Sequence, residues 1–190
     1  RAGKMDERKI AEIPGCNPNV YYTVQENVST QPFSVCILMD ESGSMYGDNL
    51  KQQRDLVKTL FLAFSSILPK DKIFIYGHTG DGGVELRVYH DQYNPFFEYT
   101  IQEQDNMSND GNYDGPAVEI VYNRIRKQTN DNIIFITISD GAPCGPNPIS
   151  VMKKVIEKCK RDGFVTMGIG IDEGIVKKLY KYHHVITAEN

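Results

Sequence analysis

Positive charge is in short supply in this sequence: 21 Lys and Arg stand against 25 Asp and Glu, a net charge of −4. The basic footprint of a nucleic-acid binder is therefore missing. No apolar run reaches membrane-spanning length, which excludes a helical membrane anchor within these residues. No secretory leader is visible, and the chain starts at Arg1 without a Met, so it reads as processed or as a piece of something longer. Cysteine is sparse. Cys16, Cys36, Cys144 and Cys159 form no CxxC pair and have no His at zinc spacing. Four scattered cysteines fit a reducing, cytoplasmic compartment better than a disulfide framework. Two catalytic signatures are also missing: there is no Gly-x-Ser-x-Gly elbow and no Walker loop.

What is present suits one soluble domain. The chain has 190 residues, 40% of them hydrophobic and 24% charged. Residues 1–32 are polar and broken by Pro14, Gly15, Pro18 and Pro32, which predicts an irregular N-terminal arm with one short strand at Val20–Val24. The domain proper is expected over 33–190. Phe33–Met39 (FSVCILM) is a continuous apolar run, the pattern of a strand buried on both faces of a parallel sheet. Apolar residues then recur at helical spacing over Asn49–Leu68, and Pro69 ends that helix. Strands are predicted at Lys72–Tyr76 and Val84–His90, joined by the short HTGDGG turn and hence antiparallel. The polar and aromatic stretch 91–113 predicts a long loop. A helix follows at Asp114–Gln128, with Asp114 as N-cap and Pro116 in the first turn. The rest reads as a strand at Asn132–Ile138, a helix at Ile149–Arg161 stopped at Gly163, a strand at Phe164–Ile169, a short helix at Glu173–Tyr182 and a last strand at His184–Thr187.

Strands alternating with helices predict an α/β class: a doubly wound, mostly parallel sheet with helices on both faces and one antiparallel edge strand. Ligands in such sheets bind beyond the carboxyl ends of strands, near a topological switch point. Asp40 and Asp140 each end a predicted central strand. Around Asp40, the string Asp40-Glu41-Ser42-Gly43-Ser44 converges two hydroxyls and a carboxylate, and Gly43 allows the tight turn between them. Alone, such a string is often a loop with a capping residue. Its place after a buried strand, with a second acidic loop at Ser139-Asp140-Gly141 after another, points to a divalent cation instead. Mg²⁺ wants six hard oxygens and keeps several waters. Neutral hydroxyl ligands would leave it with unquenched positive charge, available to an acidic group on a partner.

FSVCILMDESGSM followed by FITISDGAP resembles the metal-ion-dependent adhesion site of von Willebrand factor A domains. GKMDERKI, DESGSM, GNYDGPAVE and ISDGAP, in that order, resemble the cobaltochelatase CobT-like group, found in bacteria and in phage proteins. The resemblance implies a Rossmann-like fold with Mg²⁺, or Mn²⁺, ligated by Ser42 and Ser44. Asp40 and Asp140 would act mainly through water. Where the family's third loop usually offers a Thr, this sequence carries Asn112, with Asp114 two residues on. Asn112 can offer a carbonyl oxygen. Asp114 either ligates, which strengthens the grip on the cation and weakens its pull on an acidic partner, or only caps its helix. The resemblance also implies chain before Arg1 and a last helix after HHVITAEN. Finally, it implies a non-catalytic, metal-dependent interaction module working with a MoxR-type AAA+ ATPase. The alternative is a VWA subunit of a cobaltochelatase-like metal-insertion complex. A hydrolase or phosphotransferase using Asp40 is disfavoured, because Ser42 stands where a second Asp would be needed.

Other residues have plainer readings. His78, His90, His183 and His184 have no ligand partner at motif spacing and read as ordinary polar or half-buried groups. Gly168-Ile169-Gly170 reads as tight packing at a strand end. Lys153, Lys154, Lys158, Lys160 and Arg161 form a basic run on a helix, for which a solvated face is the default. The aromatic stretch from Tyr93 to Tyr99 either packs on the core or shows a partner an apolar patch.

Overall fold

Eight residues of almost unbroken apolar character give β3 (Phe33–Asp40), whose side chains from Ser34 onward are all buried. Helices lie on both sides of it, so neither face needs polar residues. The computed structural model describes residues 4–5, 21–22, 32–95, 111–141, 143–144, 148–172 and 174–187. The first 31 residues form a separate unit, in which β1 (Lys4–Met5) pairs antiparallel with β2 (Tyr21–Tyr22). The strand expected at Val20–Val24 is described only at those two tyrosines.

In the second unit β3 is followed by α1 (Asp48–Ser65), β4 (Ile73–Thr79), β5 (Glu85–His90), α2 (Asp114–Arg126), β6 (Asn132–Ser139), α3 (Pro148–Arg161), β7 (Val165–Ile171), the single turn α4 (Val176–Leu179) and β8 (Tyr182–Ile186). The strand order is β5-β4-β3-β6-β7-β8. All neighbours run parallel except the β4–β5 hairpin. The doubly wound, mostly parallel sheet with one antiparallel edge strand is thus what forms.

The sheet alternation sorts the core into two. Cys36, Leu38, Phe74, Tyr76 and Phe135 face α2, α3 and α4. Val35, Ile37, Met39, Ile75 and Ile138 face α1, which buries Leu50, Val57 and Phe61 against them. From β3 the chain steps to β4 and β5 on one side, then crosses back through α2 to β6 on the other, so the switch point lies between β3 and β6.

Some boundaries differ from the sequence reading. The first helix ends at Ser65 rather than Leu68, and the chain turns at 66–68 before Pro69. The short helix near 173–182 shrinks to one turn, because Tyr180 leaves the helix to lie across Gly168. Gly163 stops α3 as expected, at φ 83°, a left-handed value that favours glycine. The part of the aromatic stretch beyond residue 95 lies outside the described residues.

Candidate functional site

At the switch point the carboxyl ends of β3 and β6 stand side by side, with Met39 in register with Ile138. Asp40 and Ser139 therefore become neighbours, and Ser139 Oγ donates to Asp40 Oδ2 at 2.8 Å. The other Asp40 oxygen accepts the Ser42 N–H at 2.9 Å, which folds the loop back into a short 3-10 turn at Gly43–Met45. That turn lays Ser42 Oγ 3.2 Å from Ser44 Oγ. Ser44 Oγ in turn donates to Asp140 Oδ1 at 2.8 Å, and Asn49, at the start of α1, donates to the other Asp140 oxygen at 3.1 Å. Asp40 is fully buried and Asp140 nearly so, while Ser44 is exposed. The cluster thus runs from the sheet end out to solvent.

The third loop closes over Asp40 from the α2 side. Asn112 Nδ2 donates to Asp40 Oδ2 at 2.6 Å and to Ser139 Oγ at 3.1 Å. Its carbonyl oxygen accepts the Asp114 N–H at 3.0 Å. Both ends of the amide are then matched, an acceptor to a donor and donors to acceptors. Asp114 was read as the N-cap of α2. It is instead the first helical residue, and Asn112 caps its N–H. The Asp114 carboxylate goes to His78 Nε2 at 3.0 Å.

His78, read as an ordinary polar or half-buried group, is completely buried, because β4 places it beside Asp40 in register. Burial works against a charge on this imidazole, but the hydrogen bond and charge of Asp114, with the nearby Asp40, outweigh it and raise its pKa. Asp40 itself is pushed up to about 6, first by burial and then by the charge of Asp114, with His78 and the Ser42 hydrogen bond pulling it down.

All six oxygen-bearing residues named from the sequence thus come together around one strand end. Asp40, Ser42, Ser44, Asn112 and Asp140 join through direct hydrogen bonds, and Asp114 joins through Asn112 and His78. Among the described residues no group of three His, Cys, Asp or Glu side chains is arranged to hold a metal. The groups gathered here are three hydroxyls (Ser42, Ser44, Ser139), three carboxylates (Asp40, Asp114, Asp140) and the Asn112 amide.

Three residues escaped the sequence reading. Gln53 of α1 donates to the Asp40 backbone carbonyl at 2.8 Å. Glu41 is fully buried on the opposite face of the sheet from Asp40. It accepts from Tyr89 Oη at 2.5 Å and from Arg87 at 2.9 Å. Gly77 makes the room, since a Cβ there would lie 2.5 Å from the Glu41 carboxyl carbon. Strand alternation was the available signal: if residue 40 faces one way, residue 41 faces the other.

A doubly wound sheet whose switch point carries Asp-x-Ser-x-Ser on one strand end and Ser-Asp-Gly on the next is matched by the profile of the von Willebrand factor type A domain over residues 34–186. The chain belongs to that family. Solved structures share the VWA fold at low identity. The SpRpn10 VWA domain is 14% identical with a TM-score of 0.62, over 82% of this chain and 87% of that one. The VWA domain of the type V pili tip protein Mfa5 from Porphyromonas gingivalis is 12% identical with a TM-score of 0.60, over 84% and 91%. Proximal thread matrix protein 1 from the mussel byssus, solved with a zinc-occupied MIDAS motif, is 17% identical with a TM-score of 0.60, over 83% of this chain and 44% of that one. No curated protein sequence is similar enough to this one to be matched. Among the described residues no helix is long and apolar enough to cross a membrane.

Proposed function

We propose that residues 33–190 form a metal-dependent protein-interaction module of the VWA family, with 1–32 as its arm, and that the metal is Mg²⁺ or Mn²⁺. The spacing of the oxygen donors carries this reading. Ligands about 2.1 Å from an octahedral Mg²⁺ lie about 3.0 Å from their neighbours. Ser42 Oγ and Ser44 Oγ are 3.2 Å apart, the spacing of two adjacent ligands in such a shell. Asp140 Oδ1, 2.8 Å from Ser44 Oγ, stands beside them at the distance of a group that holds a metal-bound water. A hard cation suits hydroxyl and carboxylate donors better than a soft one. The zinc-occupied MIDAS of the byssus protein supports the reading at the level of the fold.

Ser42 and Ser44 would hold the ion directly, and Asp40 and Asp140 would hold its waters. Asn112 fixes Asp40 through its Nδ2, and Asp114 holds His78 through Oδ1; the Asn112 carbonyl oxygen and the other Asp114 oxygen are the further donors that can help hold the ion. When bound, the ion supplies a positive charge that a partner carboxylate can complete. The chain's own part is to set the donors in place and keep Asp40 buried behind them. The module works without catalysis of its own, in the cytoplasm, on a MoxR-type AAA+ ATPase or its target. The CobT-like order of the four motifs supports that partner.

Calorimetric titration with Mg²⁺ and Mn²⁺ tests the site. The wild-type chain should bind one ion, while Asp40→Ala and the double variant Ser42→Ala/Ser44→Ala, checked for folding by circular dichroism, should not. Equal binding by all three overturns the assignment. Loss of ATPase capture on adding EDTA, with the fold retained, tests the interaction.

A further inference from the structure

The longest basic run of the sequence does not take part in the metal cluster. It lies on α3, which buries Met152, Val155, Ile156 and Cys159 and turns its cations outward. Along that outer side runs an open groove of about 770 Å³, lined by the half-buried Val151 and the edge of the largely buried Val155. Lys153, Lys154, Lys158 and Arg161 line it, together with Glu157 and, from α2, Glu119. Glu119 is already matched by Lys158 at 3.2 Å, and Glu157 by Lys160 at 2.7 Å. Lys153, Lys154 and Arg161 have no ion partner among the described residues. Three free cations on one helix, in a chain of net charge −4, are an imbalance that a solvated face does not require.

We propose that this groove docks an acidic amphipathic segment of a partner protein, with apolar side chains on Val151 and Val155 and carboxylates toward Lys153, Lys154 and Arg161. The shape and chemistry of the groove favour a peptide over other anions. None of the exposed large apolar side chains lies in it, so it offers little to insert into a lipid surface. The neighbouring Tyr122 ring is covered by the Lys158 ammonium at 4.6 Å and packs on Phe164, so no aromatic platform is left for stacking bases. An open groove with apolar side chains set between cationic ones can receive a helix or extended segment by one apolar side. The groove shares no residue with the Asp40 cluster, so this docking is independent of the metal.

A random-peptide display selection on the intact 190-residue chain tests the idea. Enriched sequences should combine Asp or Glu with Leu, Ile or Phe. A synthetic peptide of that kind should lose about tenfold or more in affinity against the exposed-site variant Lys153→Glu/Lys154→Glu/Arg161→Glu. It should regain affinity when its own carboxylates are changed to Lys, weaken with salt, and ignore EDTA. Enriched peptides without acidic residues, or equal affinity for the charge-reversed variant, overturn the proposal. So does charge-dependent binding of phosphatidylserine vesicles or of a U20 RNA where the peptide does not bind.

Discussion

Asp40 and Glu41 are adjacent in the chain yet belong to different regions, one on each face of the sheet. Asp40 faces α2 and meets Asn112, Ser139 and, by charge, His78 and Asp114. Glu41 faces α1 and meets Tyr89 and Arg87 over Gly77. The two regions differ in how they end. The Glu41 network closes on itself: both carboxylate oxygens have donors and the group has no exposure to solvent. The Asp40 network continues through Ser42 and Asp140 to the exposed Ser44. A closed polar network fastens one element to another, here the β4–β5 hairpin to the start of the Asp40–Ser44 loop. An open one reaches solvent, where an outside ligand can compete for its internal hydrogen bonds. Buried polar groups must be satisfied either way, and in both regions the chain itself does so; only the second does it at an exposed end.

The largest way to break the contrast is to remove one carboxylate from each region. Glu41→Ala removes the buried acceptor of Tyr89 and leaves Arg87 with Glu85 alone, and should cost about 3 kcal/mol, read as a fall in the free energy of chemical unfolding. Asp140→Ala should change metal-free stability by no more than about 1 kcal/mol, yet abolish the rise in Tm that saturating Mg²⁺ gives the wild type. If the two variants lose stability equally and both retain that rise, the distinction between closed and open regions fails.

Glycine sharpens the comparison. Gly77 makes room for a charged group, and Gly168 makes room for the Tyr180 ring, whose Cδ2 would lie 2.4 Å from an added Cβ. Either glycine changed to Ala should cost about 2 kcal/mol by overpacking. Gly77→Ala, pushing on the residue between Asp40 and Ser42, should also weaken Mg²⁺ affinity in a calorimetric titration, and Gly168→Ala should not.

A smaller effect separates charged from neutral partners. Tyr89→Phe strips one donor from a buried carboxylate and should cost about 2 kcal/mol. Tyr180→Phe removes a 2.9 Å bond to the Thr137 hydroxyl and should cost about 1 kcal/mol. Denaturant midpoints at constant m-value decide the order.

The smallest effect concerns pH, away from both regions. Burial alone would raise the Asp91 carboxyl, but hydrogen bonds from Arg124 and from the Tyr93 and Asn94 amides, with the Arg124 charge, hold it below the usual aspartate range. A depressed folded value means that Asp91 stabilises the fold fully above about pH 4, the ordinary aspartate range. That contribution is lost as pH falls through the lowered value. Thermal melts should therefore show Asp91→Asn less stable than wild type near neutrality, with the gap closing in acid. A gap that stays constant to the lowest pH at which the chain folds would remove Asp91 from the account.

Much of this was legible in the residues. The run FSVCILM suits a strand covered on both faces, and the short HTGDGG turn favours an antiparallel return; both form. Asp40, Ser42, Ser44 and Asp140 stood out because hard oxygen groups followed two such strands directly. These features are local, written in apolar period, turn residues and the chemistry of a five-residue string, and local patterns survive without knowing the partner.

The partners themselves required the tertiary structure. His78 looked like an unattached polar residue until β4 aligned it with Asp40 and α2 brought Asp114 against its ring. Glu41 looked like a spacer between ligands until the hairpin delivered Arg87 and Tyr89, 46 and 48 positions along the chain. Asp114 looked like a cap until Asn112 took that role and freed its carboxylate for His78. No local pattern encodes such pairings. They depend on strand order and register, which bring remote residues within a few ångströms, and on burial, which makes an unmatched polar group too costly to leave alone.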